Sequence, residues 1–212
     1  MNIKKHITTE GDQIMNKHEK LGSIEGLLFI GGQITSRIEA NIVKKEMPIG
    51  TVKVIPPKAI QNGRIEHSEL YELGYKIEPD EKKLTQEGDI IVKLSTPYDV
   101  AYITAKDVGL LVTSFCILIR NNNQCVSSEF LTAFMNSGIY RTQVLNKVSG
   151  AAVPMLTIGK IKDVEIKVMP LEEQRQVAEY YNLIRKKELA MNRIIELEKE
   201  KIDAILGGKQ NG

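Results

Sequence analysis

One segment limits what this chain can become. After Val168-Met169-Pro170 the sequence from Leu171 to Leu206 runs as a single helical pattern with no breaker inside it. Pro170 stands just before the helix, where a missing N–H costs little, and Glu172 and Glu173 fall in the first turn, where the helix dipole favours negative charge. Gly207-Gly208 supplies a stop. About 36 residues rising ~1.5 Å each make a rod of about 54 Å, too long for an ordinary core helix of one small domain. The chain reads as a globular head carrying an arm.

Val177, Ile184, Met191, Glu198 and Ile205 recur every seven residues, and Tyr181, Glu188, Ile195 and Ile202 follow four further on. This is a heptad seam, interrupted at Glu188 and Glu198. A second stripe of Leu183, Ala190 and Leu197 runs beside it, so the apolar face is wider than a two-stranded zipper needs. The expected role is dimerisation, through Val177, Tyr181, Ile184, Met191, Ile195, Ile202 and Ile205. Its rival is a terminal helix folded back on its own head.

The head reads as strands with a few short helices. Gly50 to Ile55 is a strand stopped by Pro56-Pro57, and Asn62-Gly63 is a hairpin turn leading to a short strand at Arg64 to Glu66. Ile90 to Leu94, Val100 to Thr104 and Leu110 to Arg120 are further strands. Ser127 or Ser128 caps a helix through Met135, a second short helix carries Tyr140, Val144 and Val148, and Thr157 caps a turn of helix before a last strand at Val164 to Val168. Between the last two helices, Ser149 to Pro154 reads as a loop. Ile24 to Asn41 is a mixed segment around Gly31-Gly32, and residues 1–20 read as a flexible leader.

Composition excludes more than it assigns. A net charge of +2 neither demands nor forbids nucleic acid, so any DNA contact must come from local clustering. The two cysteines, Cys116 in an apolar strand and Cys125, have no metal-ligand spacing, and no secretory signal precedes them, so reduced thiols in a cytoplasmic protein are expected. No apolar stretch approaches the ~20 residues of a membrane span. No phosphate-binding loop or His/Cys cluster is present, and His67 stands as a surface histidine beside Glu66 and Glu69. Neither catalytic residues, a metal nor a cofactor is expected.

Several segments then fall in a recognisable order. They are Gly88-Asp89-Ile90-Ile91-Val92, the strand through Ala101, the Leu110 to Arg120 strand and the Phe130 to Met135 helix, followed by Ser149-Gly150-Ala151-Ala152, Leu156 with Thr157, and Met169-Pro170-Leu171-Glu172-Glu173-Gln174. Over about Gly50 to Leu206 the chain resembles the DNA specificity (S) subunit of type I restriction-modification enzymes. The Pro-Leu-x-Glu-Gln start of the long helix is the most specific piece. The sequence departs slightly from the family pattern at Met169 and Met155.

The resemblance implies a globular α/β (α+β) target-recognition domain with a mixed β-sheet over residues 21–170, and a spacer helix over 171–212 that serves dimerisation and docking of a methyltransferase subunit. A full-length member has two such domains and two spacers paired as an antiparallel coiled coil, so this chain looks like half a specificity subunit. The implied partners are double-stranded DNA, methyltransferase (M) subunits and, in complexes that cleave, restriction (R) subunits. S-adenosylmethionine and ATP would belong to those partners. A homodimer would read an interrupted palindrome. The alternative is a coiled-coil adaptor whose head binds protein or a small ligand.

Base edges are read by side chains that donate and accept in the major groove, and phosphates by Lys and Arg. The loop residues with that chemistry are Lys58, Gln61, Asn62 and Arg64; Lys93, Ser95, Thr96 and Tyr98; and Arg141, Lys147 and Ser149.

Overall fold

Ile90, Ile91 and Val92 are all buried, and so are Cys116 to Ile119, which is the pattern of strands covered on both faces. Alternate side chains enter different cores. Ile90, Val92, Ile117 and Ile119 join Phe130, Leu131, Tyr140 and Val144 from the helices, whereas Ile91, Cys116 and Leu118 join Ile55, Ile60 and Ile65. One sheet thus separates a helical layer from a second β layer.

The computed structural model describes residues 17–41, 45–150 and 155–207. The expected leader over 1–16, the second glycine of the Gly207-Gly208 stop and Ala151 to Pro154 of the loop lie outside them. The strands are β1 (Lys17–Lys20), β2 (Leu27–Gly31), β3 (Gly50–Ile55), β4 (Ile60–Gln61), β5 (Arg64–Ile65), β6 (Tyr71–Tyr75), β7 (Ile90–Lys93), β8 (Val100–Tyr102), β9 (Leu111–Val112), β10 (Cys116–Asn121) and β11 (Glu165–Val168). The α-helices are α1 (Ser128–Met135), α2 (Gly138–Val148), α3 (Ile158–Lys162) and α4 (Leu171–Gly207). The separating sheet is antiparallel in the order β2-β10-β7-β8. A second sheet, β6-β3-β9, contains the parallel pair β3–β9. The expected mixed α/β head with one long terminal helix is therefore present, its strands shared among several small sheets.

Two expectations change. Leu110 to Arg120 is not one strand: the chain turns at Thr113, where the Cys116 N–H donates to the Thr113 carbonyl, and passes from one sheet to the other. Lys17–Lys20, grouped with the leader by sequence, pairs antiparallel with β11 in the register Lys17 to Val168. His67 is exposed as expected, and its Nε2 lies 2.7 Å from a carboxylate oxygen of the buried Asp107.

Local chemistry sets the helix starts. Ser127 Oγ accepts from the Phe130 N–H, Ser137 Oγ from Tyr140 and Thr157 Oγ1 from Lys160, so each helix has one of its first free donors satisfied. Asp89, 2% exposed, accepts two hydrogen bonds from Arg120 at 3.0 and 2.8 Å, which ties the start of β7 to the end of β10. Burial pushes the Cys116 thiol up to about 12, in keeping with a packing role.

Tyr140 is 1% exposed and its ring meets Phe134 edge to face, yet its hydroxyl has no hydrogen-bond partner among the described residues. A buried hydroxyl without a partner costs about 1–3 kcal/mol. Tyr140→Phe should therefore be neutral or stabilising by about 1 kcal/mol in chemical denaturation. A loss of stability would show that the hydroxyl is satisfied.

Candidate functional site

The arm begins against the head and then leaves it. Gln174 and Ala178 are buried, Tyr181 and Arg185 are partly covered, and every residue from Met191 to the end of α4 is exposed. At 37 residues the helix is about 55 Å long. Its seam residues Ile184, Met191, Ile195, Ile202 and Ile205 are between 49% and 63% exposed, which decides against an arm folded back along the head.

Gln174 fixes the root. Its side-chain Nε2 donates to the carbonyls of Cys125 at 2.8 Å and Met169 at 2.7 Å, and its Oε1 accepts from the Ser127 N–H at 2.9 Å. This explains the glutamine of the Pro-Leu-x-Glu-Gln motif physically. The glutamine carries the polar groups at the start of α1 and the end of β11 in a single, fully buried side chain.

A second attachment lies two to three turns further on. Asn62 and Gly63 both take positive φ, as a two-residue hairpin between β4 and β5 demands. The Asn62 carbonyl accepts from Arg185 Nε, and the guanidinium lies 5.7 Å from the centre of the Tyr181 ring. Burial raises the Tyr181 hydroxyl and lowers the Arg185 guanidinium from their ordinary values. A methyl group at Gly63 would collide with the Tyr181 hydroxyl. Gly63→Ala should cost about 1–2 kcal/mol for its left-handed backbone, plus the cost of moving Tyr181. Tyr181→Phe in the same chain should return part of the loss, and no recovery in a urea titration would remove the contact.

Between this root and the head runs a cleft of about 730 Å³, lined by Asn62, Pro97, Asp99 and Arg141 on one side and by Tyr181 and Ile184 on the other. An apolar cleft of about 520 Å³ lies beside it, with Phe130, Phe134, Ile139 and Met169 among its walls. Ala133, Ser137 and Val177 border both.

The loop residues expected to read DNA are brought together only in part. Asn62 and Arg141 share the larger cleft with Pro97 and Asp99 of the β7–β8 turn, and Arg141 lies 3.7 Å from the Asp99 carboxylate. Ser95 and Thr96 are exposed at that turn, and Lys93 is half-buried at the end of β7. Gln61 donates to the Lys58 carbonyl, Lys58 pairs with Glu69, and Arg64 pairs with Glu66 at 3.2 Å. Lys147 lies near Asp163, and Ser149 closes α2 by donating to the Asn146 carbonyl. Tyr98 needs correction: with φ at 61° its ring turns inward, 3% exposed, into the core that holds Phe130 and Leu131, where no base edge can reach it. Asp99 and Tyr180 at the larger cleft were missed by sequence reasoning. The Pro-Tyr-Asp run after Thr96 was the available signal.

Among the described residues no cluster of His, Cys, Asp or Glu could hold a metal ion, and no helix is long and apolar enough to cross a membrane.

Comparison with known proteins agrees with this architecture. The chain is 24% identical over 191 residues to the type I restriction enzyme EcoKI specificity subunit of Escherichia coli K12, covering 84% of this chain and 41% of that protein. It superposes with a TM-score of 0.57 at 21% identity on a chain from a type I R-M system solved for its complex assembly and conformational transition, covering 90% of this chain and 45% of that one. For the HsdS subunit from Thermoanaerobacter tengcongensis the TM-score is 0.52 at 22% identity, over 85% and 46%. The chain thus spans less than half the length of each of these relatives. The model of the type I restriction modification DNA specificity domain matches residues 40–199, head and most of the arm together, and the chain belongs to that family.

Proposed function

We propose that this chain is the DNA-reading component of a type I restriction-modification complex and performs no chemistry itself. Its head reads one half-site. Two copies pair antiparallel through α4, and the pair positions methyltransferase subunits on the DNA, with restriction subunits joining where the complex also cleaves. S-adenosylmethionine and ATP enter with those partners.

The observation that carries the reading is the arm. Nearly 20 residues of α4 beyond Leu189 present an apolar seam that none of the described residues covers. Free seams of that length are stable only against a partner helix. Family membership supplies the DNA, and a two-fold pair of identical heads supplies the form of the target. Identical heads in inverted orientation read an interrupted palindrome, whose halves stand about one to two turns of B-DNA apart for a rod of this length.

Methylation mapping in cells with and without the gene tests this. The expected result is a modified, interrupted palindrome that disappears with the gene. A two-part, non-palindromic target would mean pairing with a different recognition domain, and no change in methylation would favour the adaptor reading.

A further inference from the structure

Antiparallel pairing of the arms, proposed above, leaves open which residues meet, and the charges beside the seam separate the registers. We propose that Ile184 packs against Ile195 of the second copy and Val177 against its Ile202, so that each arm tip seats in the two clefts at the root of the other arm.

In this register Glu188 meets Met191 and Tyr181 meets Glu198 of the second copy. Flanking the seam, Lys187 faces Ile194, Arg185 faces Asn192 and Tyr180 faces Lys201, and no like charges stand opposite one another. Slipping by one heptad in one direction sets Glu188 against Glu198, Lys187 against Lys201 and Arg185 against Lys199. Slipping the other way sets Lys187 against its own copy and Arg185 against its own copy. Like charges directly opposed across a helical interface are destabilising, and such pairs fix coiled-coil register.

The clefts agree independently. Where Ile202 of the second copy lies on Val177, the arm residue that borders both clefts, Ile205 extends one turn further towards the start of α4. That places it at the apolar cleft of Phe130, Phe134, Ile139 and Met169. In the other direction Glu198 arrives beside Tyr181, whose hydroxyl feels Arg185 and Arg141 together with Glu188 and Asp99. An acidic residue that spoils an apolar seam thereby meets a polar cleft that carries charges of both signs. The apolar tip meets the apolar cleft. The second copy also walls the larger cleft that holds Asn62 and Arg141, so the loops around it are complete only in the pair.

The test uses the full chain carrying Cys125→Ser, which leaves Cys116 buried, with pairs of cysteines joined by a short bismaleimide. A heptad slip displaces partners by about 10 Å at ~1.5 Å per residue, enough to separate the registers. Ile184→Cys with Ile195→Cys should give covalent dimer on a denaturing gel, and Ile139→Cys with Ile205→Cys should do the same through the apolar cleft. Ile184→Cys with Ile202→Cys and Val177→Cys with Ile195→Cys, which meet only in the two slipped registers, should remain single chains. Cross-linking by either of these two overturns the register. Failure of the Ile139 and Ile205 pair alone overturns the seating of the tip. Light scattering separates this inference from the reading beneath it: a dimer without the expected links refutes the register, and a monomer refutes the homodimer.

Discussion

A chain ended after Leu189 is expected to keep its head folded, to run as a monomer, and to lose about 10²–10⁴-fold in affinity for DNA carrying the full target, as expected when two linked heads become one. The cut is placed by the packing. Gln174, Ala178, Tyr181 and Arg185 all contribute to the root of α4 against the head, so ending the chain at Pro170 would strip the partners from Ser127, Cys125 and Met169 along with the arm. After Leu189 only exposed helix is removed. Circular dichroism reports the fold, light scattering the mass, and anisotropy with the mapped target the affinity. Undiminished affinity in the monomer would mean that a single head suffices, and the paired reading of the target would fail.

Gln174→Ala is expected to be the most damaging conservative truncation at the root. It removes two donors and one acceptor carried by a fully buried side chain, leaving one N–H and two carbonyls without these partners. At about 1–3 kcal/mol for each stranded group, with some relaxation, the loss should be about 3–5 kcal/mol. For a chain of this size that lowers the melting temperature by about 10 °C. Gln176→Ala, two residues on and exposed, should shift stability by no more than about 0.5 kcal/mol. Equal effects of the two substitutions in a thermal melt would show that the buried hydrogen bonds are not what holds the arm.

The arm was legible because a 3.6-residue period sustained from Leu171 to Leu206 leaves no other structure open to it. The Ile90 to Val92 strand and the caps at Ser127 and Thr157 were legible for a similar reason, each being a local rule obeyed locally. What escaped depends on distant partners. Tyr71–Tyr75 buries only Leu73 fully and is a strand because β3 lies beside it, and Lys17–Lys20 is one because β11 does. The break at Thr113 is invisible in a run as apolar as Leu110 to Ile119, since nothing local says that its two halves belong to different sheets. Site residues fared likewise. Donor chemistry picked out Asn62 and Arg141, which do share a cleft, but also Tyr98, whose positive φ carries the ring into the core.

The loops around the larger cleft are held by main-chain bonds. Gly63 accepts from the Tyr102 N–H, Leu94 donates to Phe115 and accepts from Leu156, Ser95 accepts from Tyr98, and Arg185 grips a carbonyl rather than a side chain at Asn62. The exposed ion pairs at Lys58 and Arg64 add little to stability. Ser95 and Thr96 can therefore be exchanged for other polar residues with the backbone staying in place. Under the proposed DNA-reading role, a scaffold of this kind separates heritable change in what is read from change in how the chain folds. New specificities would then be reachable by single substitutions, each tested by selection without first passing through an unfolded ancestor.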